Sequence, residues 1–290
     1  MPQPRSGEAT PVSAALLRGW PVPSDDRGTA FVLGGARTVP GAVLLTGTAA
    51  LRAGAGTLQL GAGERHAVAL GVAVPESSVF GLPETGGGAI SRDAADVLTD
   101  VLPKARAVVI GPGLTDADET FALLERVLPL VSADARLVLD AFALGALSRE
   151  PALVKPWAGQ VVLSPNHVEA AFLLDRSEDE VDDHPRAAAE IAERYQAVVT
   201  LMGAIATPGG DLWVDGGGHI GLATSGSGDV LAGLIGGFLA RAAEPAQAAC
   251  WATHVHATAG QRLIPRTGLT GLLARDLLEQ VGAVISELTA

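Results

Sequence analysis

The sequence predicts an α/β fold, a mostly parallel sheet covered by helices on both faces. Short β-branched runs alternate with longer Ala- and Leu-rich helical segments, the order that a helix-covered parallel sheet requires. Most of those runs end in Gly, Pro, Ser or Asp, and open α/β sheets bind their ligands beyond the carboxyl ends of the strands. Glycine supplies 36 of 290 residues, well above the usual ~7%, as many tight turns beside a ligand would demand.

In order along the chain, residues 1 to about 12 read as a loose tail, and Ala14 to Trp20 as a short helix ended by Pro21-Val-Pro23. One domain is expected over 26–290, preceded by this tail and helix over 1–25. Six strand candidates follow: Ala30–Leu33, Thr57–Leu60, Ala107–Ile110, Leu137–Leu139, Val161–Leu163 and Ala197–Leu201. Ile205 to Val214 reads as an antiparallel hairpin turning at Pro208-Gly-Gly210. Pro245 to Leu263 and Gly271 to Leu288 are helical by periodicity. Glu84 to Ala89 reads as a flexible glycine-rich surface loop, and the acidic run Asp175 to Asp183 as a solvated one.

A net charge of −12 and the lack of any basic run argue against nucleic acid as partner, because a duplex-binding surface needs clustered Lys and Arg. A phosphorylated ligand must then be held by backbone N–H groups, a helix end and Mg²⁺. No apolar run approaches the ~20 residues of a membrane span, and the first residues lack a secretion signal, so a cytoplasmic protein with no membrane association is expected. The single cysteine, Cys250, excludes an intrachain disulfide and fits a packed thiol among Ala248, Ala249 and Trp251. Charged residues make up 18%, below the typical ~25%, which suggests surface buried between subunits and hence a homo-oligomer.

The segment Gly221-Leu-Ala-Thr-Ser-Gly-Ser-Gly-Asp-Val-Leu-Ala-Gly233 carries the most chemistry. Gly226 and Gly228 let the backbone turn and approach a ligand, Ser225 and Ser227 are candidates to cap the helix that follows, and free N–H groups at such an end attract anions. Asp229 in the first turn can serve the helix dipole alone; beside bound phosphate it can take a proton from a hydroxyl being phosphorylated. Pro40-Gly-Ala42 opens another helix, and Ile110-Gly-Pro-Gly-Leu114 exposes backbone after a strand. Asp140 ends a strand and can assist a metal, hold a substrate hydroxyl or cap the next helix; Glu169 can orient Mg²⁺ waters or serve a helix dipole. Their convergence on one sheet edge points to a bound polar ligand.

His254 and His256, two apart on a helix, face about 200° apart and cannot chelate one ion, so both read as packing or surface residues. His66, His184 and His219 show no recognisable partners. Neither Gly-x-Gly-x-x-Gly in the right place nor Gly-x-x-x-x-Gly-Lys-Ser/Thr occurs. Gly226-Ser227-Gly228 resembles a nucleophile elbow only weakly, because its helix opens on an Asp and no Asp-and-His order follows.

Taken together, Gly34 to Ala42, Ala49 to Gly56, Pro75-Glu76, Gly111-Pro-Gly-Leu114, Val138-Leu-Asp140 and Gly221 to Gly233 resemble the ADP/ATP-dependent NAD(P)H-hydrate dehydratases of the ribokinase-like superfamily, from about residue 26 to 288. The resemblance implies a three-layer ribokinase-like sandwich. It also implies repair of hydrated NADH or NADPH: ADP or ATP, with Mg²⁺, phosphorylates the ring hydroxyl and phosphate is then eliminated. Asp229 is then the base. Ala42, Gly113 and Asn166 meet the hydrated dinucleotide with Asp229, while Met202, Gly203, Ala204, Ile205, Ala206, Ser227 and Gly228 meet the adenine nucleotide. It implies a tetramer as well, with epimerisation left to a separate protein, since the epimerase domain fused in some relatives has no counterpart here. Three positions differ from the common family pattern: Asn166 replaces a histidine, Met202 a lysine and Phe142 an aspartate. Two other readings stay open on the residues alone, a ribokinase-like kinase of a small alcohol such as a vitamin precursor, and a nucleotide-binding relative without catalysis.

Overall fold

The computed structural model describes residues 9–290. Its strands are β1 (Thr10–Pro11), β2 (Thr29–Leu33), β3 (Thr57–Gly63), β4 (Ser77–Leu82), β5 (Ala107–Ile110), β6 (Arg136–Leu139), β7 (Val161–Leu163), β8 (Val198–Leu201), β9 (Ala204–Ala206) and β10 (Leu212–Val214). The α-helices are α1 (Ala14–Arg18), α2 (Pro40–Arg52), α3 (Glu64–Ala73), α4 (Ala94–Leu98), α5 (Ala117–Val127), α6 (Phe142–Arg149), α7 (His167–Leu174), α8 (His184–Tyr195), α9 (Ser227–Ala240), α10 (Pro245–Thr267) and α11 (Ala274–Thr289). The strands form one ten-stranded sheet in the order β1-β10-β9-β8-β7-β6-β5-β2-β3-β4. Pairing is parallel from β8 through to β4 and antiparallel only around β9.

Alternation along the central strands separates two cores. Ala30, Val32, Val109, Val138 and Val162 face α2, α9, α10 and α11, whereas Phe31, Leu33, Val108, Leu137 and Val161 face α4 through α8. Both faces of the sheet are therefore dry, which is why these strands read as continuous apolar runs instead of alternating ones.

Each strand run expected from the sequence is present, and the hairpin turns where expected, with Gly210 in the left-handed region at φ 85°. Other expectations need correction. The tail is not loose as far as residue 12: Thr10 and Pro11 pair with Trp213 and Val214, and the Val12 N–H donates to the Val214 carbonyl. The stretch after α1 is also tied down, since Trp251 Nε1 donates to the Trp20 carbonyl and Gln247 to those of Trp20 and Pro21. The part of the tail over residues 1–8 lies outside the described residues. Strand β4 was missed because an edge strand carries half-exposed Ser77, Val79 and Phe80 and has only β3 beside it. The Glu84–Ala89 loop is anchored: the nearly buried Glu84 carboxylate accepts from the Arg37 guanidinium at 2.8 Å, and Glu84 bridges to Ile90.

Helices α2 and α9 decide where the chemistry can occur. A Cβ at Gly233 would collide with the Thr46 carbonyl oxygen, and one at Gly237 with that of Ala50, so α9 lies against α2 at a distance that only glycine allows. Gly226 meets Leu45 while Gly237 meets Ala50 and Ala53, so the two helices run parallel. Both N-termini thus reach the same edge, the one at which the parallel strands end.

Candidate active site at the carboxyl edge of the sheet

Neither helix start has a side-chain cap. Helix α2 begins at Pro40 after Val39, and α9 begins after Gly226 at φ 85°. Ser225 and Ser227 do not cap α9 as the sequence suggests; Ser227 lies inside the first turn and its hydroxyl meets His256 Nε2 at 2.9 Å. By contrast Asp116, Asn166 and Asp183 cap α5, α7 and α8. Ser227 N–H donates to the Thr224 carbonyl and Ala42 N–H to that of Val39, which leaves the Gly41 N–H of α2 and the Gly228 and Asp229 N–H groups of α9 available to an anion. A side chain at Gly41 or Gly228 would meet nothing within 4 Å, so both starts open onto free space.

The strand ends close the floor. Gly113, at φ 69°, lies against α2: a Cβ there would come within 2.9 Å of Ala42 Cβ, which brings together two residues expected at the dinucleotide site. Gly111, at φ 131°, lies under the Asp140 backbone, where a Cβ would collide with the Asp140 carbonyl oxygen. Asp140 does not cap α6, whose N-cap is Ala141 with no side-chain bond. Instead its Oδ1 accepts from the Ser164 hydroxyl at 2.9 Å, both side chains buried. Asn166 and Glu169 form a reciprocal capping box at the start of α7, each side chain accepting from the other's backbone N–H at 2.9 Å.

Three carboxylates share this edge. Burial, then the charges of Glu169 and Asp229, push the Asp140 carboxyl up to about 7, against the opposing hydrogen bond from Ser164. Burial raises Asp229 to about 6 and also raises Glu169. Charge burial of this kind opposes folding. The Asp140 carboxyl holds its proton more tightly folded, at about 7, than at its ordinary 3.8, so its contribution to stability is fully present below the lower value and is lost as pH rises through the upper one. Asp140→Asn is therefore expected to stabilise the fold at about pH 8 by up to roughly 4 kcal/mol, seen as a raised melting temperature, with no gain near about pH 4, in paired thermal melts.

Helix α10 organises the neighbouring wall. Thr253 Oγ1 meets Thr200 Oγ1 at 2.9 Å, His254 Nδ1 donates to buried Asp215 at 2.6 Å, and buried His256 bonds Ser227. These histidines do face different sides, as their spacing requires, but each has a specific polar partner that packing alone would not supply. His256 Nε2 also lies 3.1 Å from the Ser227 carbonyl, which can only accept, so that nitrogen carries the proton and cannot act as base toward the Ser227 hydroxyl. Burial holds His256 down at about 4, and the nucleophile-elbow idea ends there. The three histidines without expected partners all have one: His66 Nε2 bonds the Arg37 carbonyl at 3.0 Å, His184 Nε2 meets His167 Nδ1 at 3.1 Å, and His219 Nδ1 accepts from the Gly221 N–H at 3.1 Å.

Met202 and Gly203 form the two-residue turn between β8 and β9, both left-handed at φ 49° and 92°. Met202 is 65% exposed, and the Gly203 carbonyl accepts from Asp215 N–H, so this turn borders the α10 wall. Ala204, Ile205 and Ala206 are buried in β9 with a paired strand on each side, which occupies their backbone groups as well. A surface depression of about 470 Å³ lies elsewhere, on the outer side of α7 beside Phe172 and Arg176.

Residues 30–282 match a family model described as NAD(P)H-hydrate dehydratase. The chain belongs to the NAD(P)H-hydrate dehydratase family. A relative from Xanthomonas campestris pv. campestris, named ADP-dependent (S)-NAD(P)H-hydrate dehydratase, is 43% identical, with 96% of each chain covered. The bifunctional NAD(P)H-hydrate repair enzyme Nnr of Moorella thermoacetica is 36% identical over 90% of this chain, which spans 50% of that longer protein. Among solved structures, the ADP/ATP-dependent NAD(P)H-hydrate dehydratase from Bacillus subtilis, co-crystallised with ATP/Mg²⁺ and soaked with CoA, superposes with a TM-score of 0.80 at 27% identity, covering 97% of this chain and 99% of that one. A ribokinase-like superfamily protein from Enterococcus faecalis, at 22% identity, superposes with a TM-score of 0.81 over 99% of both chains and attests the fold. The family has the ribokinase-like three-layer architecture seen here, a mostly parallel sheet between helical layers.

Proposed function

We propose that this protein is an ADP-dependent dehydratase of hydrated NADH and NADPH, phosphorylating the ring hydroxyl and then eliminating phosphate. The observation that carries the reading is Asp229, half-buried in the first turn of an uncapped helix, with its carboxyl raised to about 6 and so ionised yet basic at neutral pH. In this reading the free N–H groups of Gly228 and Asp229 at the start of α9 hold nucleotide phosphate, with Ser227 beside them. Ala42 and Gly113 bring backbone against the hydrated dinucleotide beside Asn166, and the Met202-Gly203 turn borders the adenine nucleotide. His256 anchors Ser227 from behind. Ala204, Ile205 and Ala206 serve this site by holding that turn in the sheet.

Among the described residues no three His, Cys, Asp or Glu side chains come close enough to hold a metal by themselves. The acidic edge fits Mg²⁺ in its usual phosphate-bound form, with Glu169 reaching its water shell, because Mg²⁺ keeps several waters and takes only one or two carboxylates. Bound there, the ion would neutralise phosphate charge that no lysine at position 202 can offset. No helix among the described residues is long and apolar enough to cross a membrane. A cytoplasmic homo-oligomer, a tetramer, completes the reading, working beside a separate epimerase.

The test is recovery of reduced-nicotinamide absorbance from purified hydrated NADH with Mg²⁺ and either ADP or ATP. A nucleotide-dependent rise, faster with ADP, is expected. A folded protein that instead accumulates a phosphorylated small alcohol, or binds nucleotide without turnover, would defeat the reading.

A further inference from the structure

Removing water across a carbon–carbon bond takes a hydroxyl from one carbon and a proton from its neighbour. In the reaction proposed above, phosphorylation disposes of the hydroxyl and Asp229 receives its proton, so the carbon-bound proton needs its own acceptor. We infer that Asp140, oriented by Ser164, is the base that takes this proton in the elimination step. The assignment rests on the dehydratase reading.

The local structure is built around this carboxylate. Asp140 directly follows β6 at the same edge as Asp229, yet caps no helix. The next residue, Ala141, is held at φ 51° and ψ −127°, a backbone conformation that residues with a Cβ rarely adopt and that persists only where the surroundings enforce it. Gly111 gives way beneath the Asp140 backbone, and the Ser164 hydroxyl fixes the carboxylate from β7. No Lys or Arg is among the groups that perturb this carboxyl, so its charge is not consumed in an ion pair. Its pKa of about 7 suits a base working near neutrality, one that is ionised for a useful fraction of molecules and strong enough to accept a proton from carbon.

The proton and electron inventory closes over two steps. In the first, the ring hydroxyl oxygen attacks the terminal phosphorus of the nucleotide, its proton passes to Asp229, and the phosphorus–oxygen bond to the departing nucleotide breaks. In the second, the ring-nitrogen lone pair expels phosphate, which leaves with the carbon–oxygen bonding pair. The neighbouring C–H bond then gives its proton to Asp140, and its electrons close the carbon–carbon double bond and return the lone pair to nitrogen.

The two half-reactions separate the roles. Wild type, Asp140→Asn, Ser164→Ala and Asp229→Asn are mixed with hydrated NADH, ADP and Mg²⁺. AMP is quantified for phosphoryl transfer, absorbance for nicotinamide recovery, and quenched samples are searched by mass spectrometry for phosphorylated intermediate. Asp140→Asn is expected to keep phosphoryl transfer for at least one turnover, lose recovery by roughly 10²–10³-fold and accumulate the intermediate. Ser164→Ala, which removes a hydrogen bond that lowers the Asp140 pKa, should move the acid limb of recovery to higher pH and leave that of phosphoryl transfer in place. Asp229→Asn should lose both half-reactions. Recovery by Asp140→Asn at the wild-type rate, or equal loss of both half-reactions in that variant, overturns the assignment while leaving the dehydratase reading intact. A folded wild type that forms neither AMP nor reduced nicotinamide overturns the dehydratase reading and the assignment with it.

Discussion

Asp229→Asn is expected to lower nucleotide-dependent recovery of reduced nicotinamide by about 10²–10⁴-fold, the usual share of a positioned general base, with the fold retained. Asparagine keeps the size and shape of the side chain in the first turn of α9 but cannot accept the hydroxyl proton. Because burial raises the Asp229 carboxyl to about 6, the wild-type kcat/KM should fall as pH drops below that value. The base must be ionised, so activity is present above its pKa and lost beneath it. Melting of the variant at neutral pH should match or slightly exceed wild type, since a partly buried charge is removed. Turnover near the wild-type rate in Asp229→Asn would end the base assignment.

Gly233→Leu should produce a large loss of stability. A Cβ at Gly233 already collides with the Thr46 carbonyl oxygen and lies 2.7 Å from Ala49 Cβ, and backbone cannot move aside as a flexible side chain can. Overpacking of this kind costs about 1–3 kcal/mol or more, and here it separates the two helices whose N-termini face the ligand. A denaturant melt should show the midpoint falling, and activity should fall further than the folded fraction accounts for. Gly228→Ala is the contrast. Its new methyl group meets nothing within 4 Å in the protein, so the melt should be unchanged while KM for the nucleotide rises. Equal melting of Gly233→Leu and wild type would show that α2 and α9 are not in close contact.

Much of the frame was legible because its signals are local. A strand buried on both faces announces itself as a short β-branched run, and Val161–Leu163 or Ala107–Ile110 could be delimited without knowing a neighbour. A glycine-interrupted helix start carrying Asp229 is equally local, and the string around it was enough to suggest the family. Edge elements were not legible: Thr10–Pro11 and Ser77–Leu82 have weak patterns of their own and are strands only because β10 and β3 present unpaired backbone to them. The Glu84 loop looked flexible because its anchor, Arg37, is distant in sequence.

Within the site, the sequence by itself determined the residue types that can do chemistry and the sheet edge to which they belong. Strand ends and helix starts follow from local propensity and turn chemistry. Tertiary structure alone decided which of them act together. Asp140 acquires a pKa near neutrality only because folding buries it beside Ser164 and brings the charges of Glu169 and Asp229 within range. His256 becomes the partner of Ser227, and His254 that of Asp215, only because α10 packs between α9 and the end of the sheet. Desolvation, like-charge proximity and long-range hydrogen bonds are properties of the packed chain, and no window of sequence contains them.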